Sequence, residues 1–455
     1  HITPEDITHT YLSKRPFRSA LVYALPGQPF TVHRLDTHQD LSVSVQVNSL
    51  RHSSVHEFDE NGYTRPKYVT SEAIPIDVGE VLTLTSPYGG PIQLRFNTND
   101  VEAELAFTEV GQHPIWRSTE DDLTFPAALE RGDYDWAEVI TSHFEIHSTL
   151  SKMRETFDHP LFTTGSELAD LINTYHHGYA LALAGYQGPS IINIPEITDF
   201  INDKGWPHYH RDQVQHFNAD KPTCGYGCSG NPYDAGWSFS PLGHGDLHEV
   251  GHNHERGRFK FNNREGHATT NFYAYFPKQQ HYLDTGITPN CQNLPFRDLF
   301  DRLQEAQATA DPFLTMSQDH TLNGWSQGVT IVIQALMAAE RLGAVDRGWH
   351  IIGRLHAHDR AFREAQEDDE AWLTLRESLG FAGYSRQEAS SINHNDYLFA
   401  ALSVCTELNF QDYFAMWGLS VSPTLEWNIL SKGFTLVPPV FYTTSPESAC
   451  DVWDA

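Results

Sequence analysis

From Leu41 the chain reads Leu-Ser-Val-Ser-Val-Gln-Val, apolar and polar in strict alternation, the period of a strand with one buried face. The runs Val81–Leu84 and Ile92–Phe96 read as further strands and flank the breaker Ser86-Pro87-Tyr88-Gly89-Gly90-Pro91, which predicts a tight connection between paired strands. Residues 1–112 are therefore expected to form a small β-sandwich domain. Beyond them the period changes to that of helices. Over Ser166–Leu183, Leu168, Leu171, Ile172, Tyr175 and Tyr179 recur at helical spacing behind Ser166 as N-cap. Residues 189–245 are dense in Gly, Pro, Asn and aromatics and read as loops that carry binding groups. Periodic segments then return at Ser326–Leu342, Gly348–His358, Glu367–Leu379 and His394–Leu408, a helical bundle. The acidic run Glu367–Glu370 suits a helix N-terminus. Three divisions are predicted, at 1–112, 113–320 and 321–455, a multidomain α+β chain.

Composition narrows the class. The 455 residues carry 30 Lys+Arg against 59 Asp+Glu, a net charge of −29, which repels polyanions and excludes a nucleic-acid partner. Hydrophobic residues at 40% and aromatics at 12% are enough for folded cores, and no stretch approaches the roughly 20 apolar residues of a spanning helix. The chain opens at His1 without Met or an apolar leader, which suggests a segment removed by processing. Five cysteines, at 224, 228, 291, 405 and 450, fit one or two bridges in an exported protein. Cys224 and Cys228 are expected to bridge locally. Trp325, Trp349, Trp417 and Trp427 fall in helical segments and are expected in cores.

Candidate chemistry sits at His248-Glu249-Val250-Gly251-His252, an H-E-x-x-H string. On a helix, residues four apart lie one turn above each other, so both imidazoles reach one divalent ion while Glu249, about 100° round, faces its open position. With 26 histidines the string would arise by chance roughly 0.1 times in such a chain, but its flanks make helical sense. Asp246 reads as N-cap, Leu247 and Val250 as buried positions, and Gly251 as a point of close packing. Zinc suits two imidazoles plus a third N or O donor, with the fourth position left to a water whose proton Glu249 accepts. Four residues downstream could be the third donor. His254 faces away and Glu255 is cramped on the same helix, whereas Glu265 and His267 follow a loop and either would close the site.

Together with this string, continued as Asn253-His254, the Thr-Thr-Asn-aromatic run at 269–272 and Phe410–Gly418 (FQDYFAMWG) resemble the enhancin-like, mucin-degrading zinc metallopeptidases, of the bacterial immunomodulating metalloprotease type. The resemblance spans about 190–440. It implies a zincin-like (gluzincin-type) catalytic domain over 113–320 completed by 321–455, and a secreted bacterial O-glycopeptidase that cleaves beside glycosylated Ser or Thr. In that family the third ligand is a Glu opening a Glu-Val-Thr-x-Asn run. The matching position here is His267, with Glu265 two residues earlier, so His267 is the preferred ligand and Glu265 its rival. The family usually carries Gln where this chain has Glu255. The resemblance also implies a sugar held beside the zinc, for which Trp237 offers an aromatic face, and Tyr273 or Tyr275 a phenol. The resulting expectation is a zinc metalloendopeptidase with Glu249 as general base, acting on mucin-type O-glycoproteins. Its rivals are a general endopeptidase indifferent to glycan and a non-catalytic glycan-binding adhesin.

Overall fold

The computed structural model describes residues 2–51, 69–220 and 231–442. They form two compact units, one of residues 1–177 with 211–241, the other of 178–210 with 242–455. The fold is mixed α+β.

The first unit begins with eight strands: β1 Glu5–Leu12, β2 Phe17–Ala24, β3 Pro29–Arg34, β4 Val43–Val47, β5 Ile74–Ile76, β6 Val81–Thr85, β7 Gly90–Phe96 and β8 Glu102–Val110. They make two four-stranded antiparallel sheets, β1-β8-β3-β6 and β2-β7-β4-β5. Alternate residues of both sheets, among them Val22, Val32, Val45, Leu94 and Phe107, meet in one buried core, the arrangement of a sandwich. The Ser86–Pro91 breaker does not join paired strands. β6 pairs with β3 in one sheet and β7 with β2 and β4 in the other, so the breaker carries the chain between layers. Gly90 makes this crossing possible: it holds φ 135°, and a Cβ there would lie 1.8 Å from Asn48 Oδ1.

A third sheet in the same unit was not expected. Strands Tyr233–Asp234, Gln215–Ala219, Phe144–Thr149, Trp136–Ile140 and Ile115–Trp116 lie side by side in that order. Residues 113–149 thus contain strands where helices were expected, and 189–245 hold the strands Tyr209–His210, Gln215–Ala219 and Tyr233–Asp234 and the helix Pro195–Lys204 where loops were expected. The reason is burial of polar residues: Glu138, Glu145, His147, His216 and Asn218 are at most 1% exposed and break the hydrophobic period. The helical reading of Ser166–Leu183 was right in extent but not in form. Gly165–Leu171 is α-helical, Ile172–Tyr179 is π-helical, and Ala180–Leu183 is α-helical again. Its cap is Thr164, whose hydroxyl accepts from the Glu167 amide in a capping box, while the Ser166 hydroxyl donates to Asp122 at 2.5 Å.

The second unit is mainly helical. Trp325–Arg341, His350–Ala365, Asp369–Leu375 and His394–Thr406 match the four periodic segments read from the sequence, and Asp368 caps the third by accepting from the Ala371 amide at 2.8 Å. Trp349 and Trp417 are buried, Trp325 is half-buried, and Trp427 departs from its expected core position at 68% exposure. No helix of the described residues is long and apolar enough to cross a membrane. Cys291 is disulfide-bonded and Cys405 is a buried free thiol, whereas Cys224, Cys228 and Cys450, with the local bridge expected between the first two, lie outside the described residues.

Candidate metal centre

The H-E-x-x-H string lies on the helix His244–His252. Its N-cap is Gly243 rather than Asp246, which instead sits buried in the first turn, where a carboxylate is favoured by the exposed amides of the helix end. Leu247, Val250 and Gly251 face the interior, while His248 and His252 are half-buried one turn apart. Gly251 decides what packs there. A Cβ at this position would lie 2.4 Å from the Thr270 carbonyl oxygen and 2.9 Å from its Cα, so only glycine admits the short helix His267–Thr270 at this distance. On its other side that short helix meets Trp325–Arg341, where a Cβ on Gly328 would stand 3.0 Å from Ala268 Cβ.

This clamp brings His267 to the other two imidazoles. Ring centroids are 4.9 Å apart for His248 and His252, 5.2 Å for His248 and His267, and 5.3 Å for His252 and His267. One ligand atom from each of the three lies within 4.8 Å of the others. Each Nδ1 is already engaged. That of His248 meets Thr270 Oγ1 at 3.1 Å and Asn271 Oδ1 at 3.3 Å, that of His252 meets Glu255 Oε2 at 3.3 Å, and that of His267 meets Glu265 Oε1. Occupied Nδ1 positions fix the tautomer and leave the Nε2 lone pairs for an ion, the support that metal-ligating histidines ordinarily have. Glu265, the rival third donor, therefore stands behind His267 and is not among the converging groups. His254 is fully buried against Tyr186 and Tyr273 and is not among the three converging imidazoles.

Electrostatics favour the ligand form. Burial, reinforced by His252 and His267 and opposed by the Asn271 hydrogen bond, pushes His248 down to about 4, so its imidazole is neutral at physiological pH. Glu249 is 8% exposed, and burial pushes its carboxyl up to about 7 against the opposing pull of His267. Its Oε2 is buried with no hydrogen-bond partner among the described residues, an acceptor shaped for something the protein itself does not supply. Three imidazoles with anchored Nδ1 atoms, beside an unpartnered carboxylate oxygen, fit a divalent transition metal and its water.

Two contributors were not singled out from sequence. His244 lies one turn before His248 and donates from Nε2 to Asn271 Oδ1 at 2.8 Å, the same oxygen that faces His248. Asn271 in turn donates from Nδ2 to the His267 carbonyl at 2.6 Å and so touches two of the three candidate ligands' residues. The i, i+4, i+8 row His244-His248-His252 was a readable signal for the first. Of the substrate candidates, Tyr273 is 1% exposed and its hydroxyl is 2.7 Å from His356 Nε2, so the phenol is committed to the interior and not available to an oxyanion. Tyr275 is likewise buried, its hydroxyl donating to the Gln292 carbonyl at 3.0 Å. Trp237, in the first unit, keeps its indole half-exposed after the strand Tyr233–Asp234.

A mixed α+β fold with three histidines gathered around an H-E-x-x-H helix defines a protein of metal-centre type. Comparison with known proteins gives the particular likeness: the chain is 26% identical, over 97% of its length, to the immunomodulating metalloprotease of Pseudomonas aeruginosa, of which it spans 50%. No protein-family model matches it. Among solved structures, the Pseudomonas aeruginosa protein IMPa in complex with an O-glycopeptide superposes with a TM-score of 0.80 at 26% identity, covering 99% of this chain and 54% of that one. IMPa in complex with T-antigen gives 0.78 at 25% identity, with 99% and 54% covered. The M60 catalytic domain of Clostridium perfringens ZmpC, at 12% identity, a TM-score of 0.56 and coverage of 95% and 77%, shares the fold. The resemblance read from the motifs to the immunomodulating metalloprotease type thus holds along nearly the whole chain.

Proposed function

We propose that this chain is a zinc-dependent metalloendopeptidase that hydrolyses peptide bonds beside O-glycosylated Ser or Thr in mucin-type glycoproteins. The observation that carries the reading is the convergence of His248, His252 and His267 beside the unpartnered Oε2 of Glu249. We assign the catalytic centre to the zincin-like portion within 113–320, with 321–455 completing it. His248, His252 and His267 would hold zinc through their Nε2 atoms, with Glu265 orienting His267 rather than ligating. Zinc bound there supplies Lewis acidity and a water acidic enough to be deprotonated near neutral pH.

The chain's own residues then have defined tasks. Glu249 accepts the proton of the attacking water as its oxygen bonds to the scissile carbonyl carbon. As the C–N bond breaks, the same carboxyl returns that proton to the leaving amine nitrogen, so protons balance over the cycle. Its Oε2, buried and without a hydrogen-bond partner among the described residues, is open to both transfers. Asn271 and Thr270 keep the His248 ring in register throughout.

The glycan preference is supported by the relatives, whose solved complexes hold an O-glycopeptide and T-antigen. Within the first unit, the half-exposed Trp237 offers an aromatic face of the kind that a sugar's apolar C–H face stacks on. A substrate of this kind is met outside the producing cell, and a disulfide at Cys291 accords with an oxidising compartment. The test is a matched pair of peptides, one carrying an O-linked GalNAc-type sugar and one bare, cleaved with and without a zinc chelator. Chelator-sensitive cleavage of the glycopeptide alone is the expected result. Equal cleavage of both reduces the protein to a general endopeptidase, and glycan binding without any cleavage makes it an adhesin.

A further inference from the structure

Imidazole and carboxylate groups converge a second time, in the interior of the first unit. Glu145 and His147 alternate onto one face of Phe144–Thr149, and parallel pairing sets His216 of Gln215–Ala219 directly beside Glu145. His147 Nε2 lies 2.9 Å from His216 Nδ1 and 3.4 Å from Glu145 Oε2, and His216 Nδ1 lies 3.6 Å from that same oxygen. Donors held about 2.0–2.2 Å from a tetrahedral zinc stand roughly 3.3 Å apart, so this triangle has the dimensions of one face of such a tetrahedron.

The surroundings are those of a built site. All three side chains are fully buried. His147 Nδ1 donates to Glu138 Oε1 at 2.6 Å, the second oxygen of Glu145 is held by Arg18, and the Ser19 amide donates to Glu145 Oε2 at 3.1 Å. A carboxylate behind a histidine ring is the arrangement that orients a metal-ligating imidazole and raises its basicity. Phe17 stacks on His216 at 3.8 Å between centroids and closes that side. Glu145 pairs with the Arg18 guanidinium while Glu138 is flanked by the imidazoles of His113 and His147, so two buried carboxylates face one permanent positive charge and the cluster has room for another. A proton on an adjoining imidazole or a divalent ion would supply it.

We propose that Glu145, His147 and His216 bind a structural divalent transition-metal ion, zinc by the chemistry of its donors. Burial on all sides denies it a substrate, so its work is mechanical. His147 and His216 are 69 residues apart in sequence, and the strand bearing His216 belongs to the segment 211–241 that rejoins the first unit. An ion bound across them in the folded chain alone adds its binding free energy to the stability of this sheet.

This inference stands apart from the peptidase reading, and one protein separates them. The double variant His248→Ala/His252→Ala removes two ligands of the candidate catalytic centre and leaves the buried cluster intact. Elemental analysis of that variant is expected to find about one equivalent of zinc per chain, and cobalt(II) added during its production to give visible absorption of a tetrahedral ion. Adding His216→Ala is expected to abolish both and lower Tm. Should the triple variant not fold, zinc-edge anomalous density from the unaltered protein replaces it, with a peak expected between His147 and His216. A double variant free of stoichiometric metal, or no peak at that position, overturns the proposal and leaves a hydrogen-bonded imidazolium in its place.

Discussion

At the scale of single residues, the candidate centre depends on what lies behind the ligands as much as on the ligands. Asn271 accepts from His244 and His248 and donates to the His267 carbonyl, so one amide fixes rings and backbone on two elements. Asn271→Ala is expected to weaken metal affinity about 10- to 100-fold, read by competition with a chromogenic chelator, and unchanged affinity would remove its positioning role. Glu249→Gln keeps the shape of the side chain and removes its capacity to take a proton. Turnover of a glycopeptide should fall about 10²- to 10⁴-fold while bound metal stays constant, and retained turnover would sink the general-base assignment. The two histidines and the glutamate were legible because helix geometry turns four-residue spacing into a shared face. Asn271 acts through hydrogen bonds from a separate element, which leave no period in the sequence.

Among elements, the close crossing of His244–His252 and His267–Thr270 brings in the third imidazole. Gly251→Ala places a methyl group inside van der Waals contact of the Thr270 backbone, which side-chain rotation cannot relieve. We expect a stability loss of about 1–3 kcal/mol in denaturant unfolding together with weakened metal binding; a variant as stable and as metal-avid as the parent would contradict the clamp. Sequence anticipated Gly251 as a packing point, and it anticipated three of the eight sandwich strands, Val43–Val47, Val81–Thr85 and Gly90–Phe96, and the four late helices, whose apolar residues recur at strand or helix spacing. It misread the Ser86–Pro91 breaker, since a turn between hairpin strands and a crossing between layers use the same Gly-Pro vocabulary. It missed Trp136–Ile140, Phe144–Thr149 and Gln215–Ala219 because Glu138, Glu145, His147 and His216 occupy positions where a strand of this burial would carry Val or Ile. Those same intrusions are the donors and support of the buried cluster, so the failure of the pattern marks the place where chemistry overrides it.

For the whole molecule, buried histidines set the response to acid. Burial pushes His176 down to about 4, against a hydrogen bond to the Pro241 carbonyl, and His358 down to about 4, against one to the Leu379 carbonyl. In the unfolded chain each titrates near 6.5. As pH falls below that value the unfolded state takes up protons that the folded state refuses, so stability fully present above about 6.5 is lost progressively toward 4. The contribution is on the order of 3 kcal/mol per group when fully expressed. Urea unfolding should therefore show a midpoint that declines steadily from about pH 7 to 5, and a flat profile would show that these rings are not held neutral.

The central claim, one ion held by His248, His252 and His267, is tested most directly by an anomalous difference map at the zinc edge from crystals of the purified protein. The expected peak stands about 2.0–2.1 Å from a nitrogen of each of the three rings, with Glu265 still on the far side of His267. A map with no peak there, or with Glu265 in place of His267 as the third donor, contradicts it.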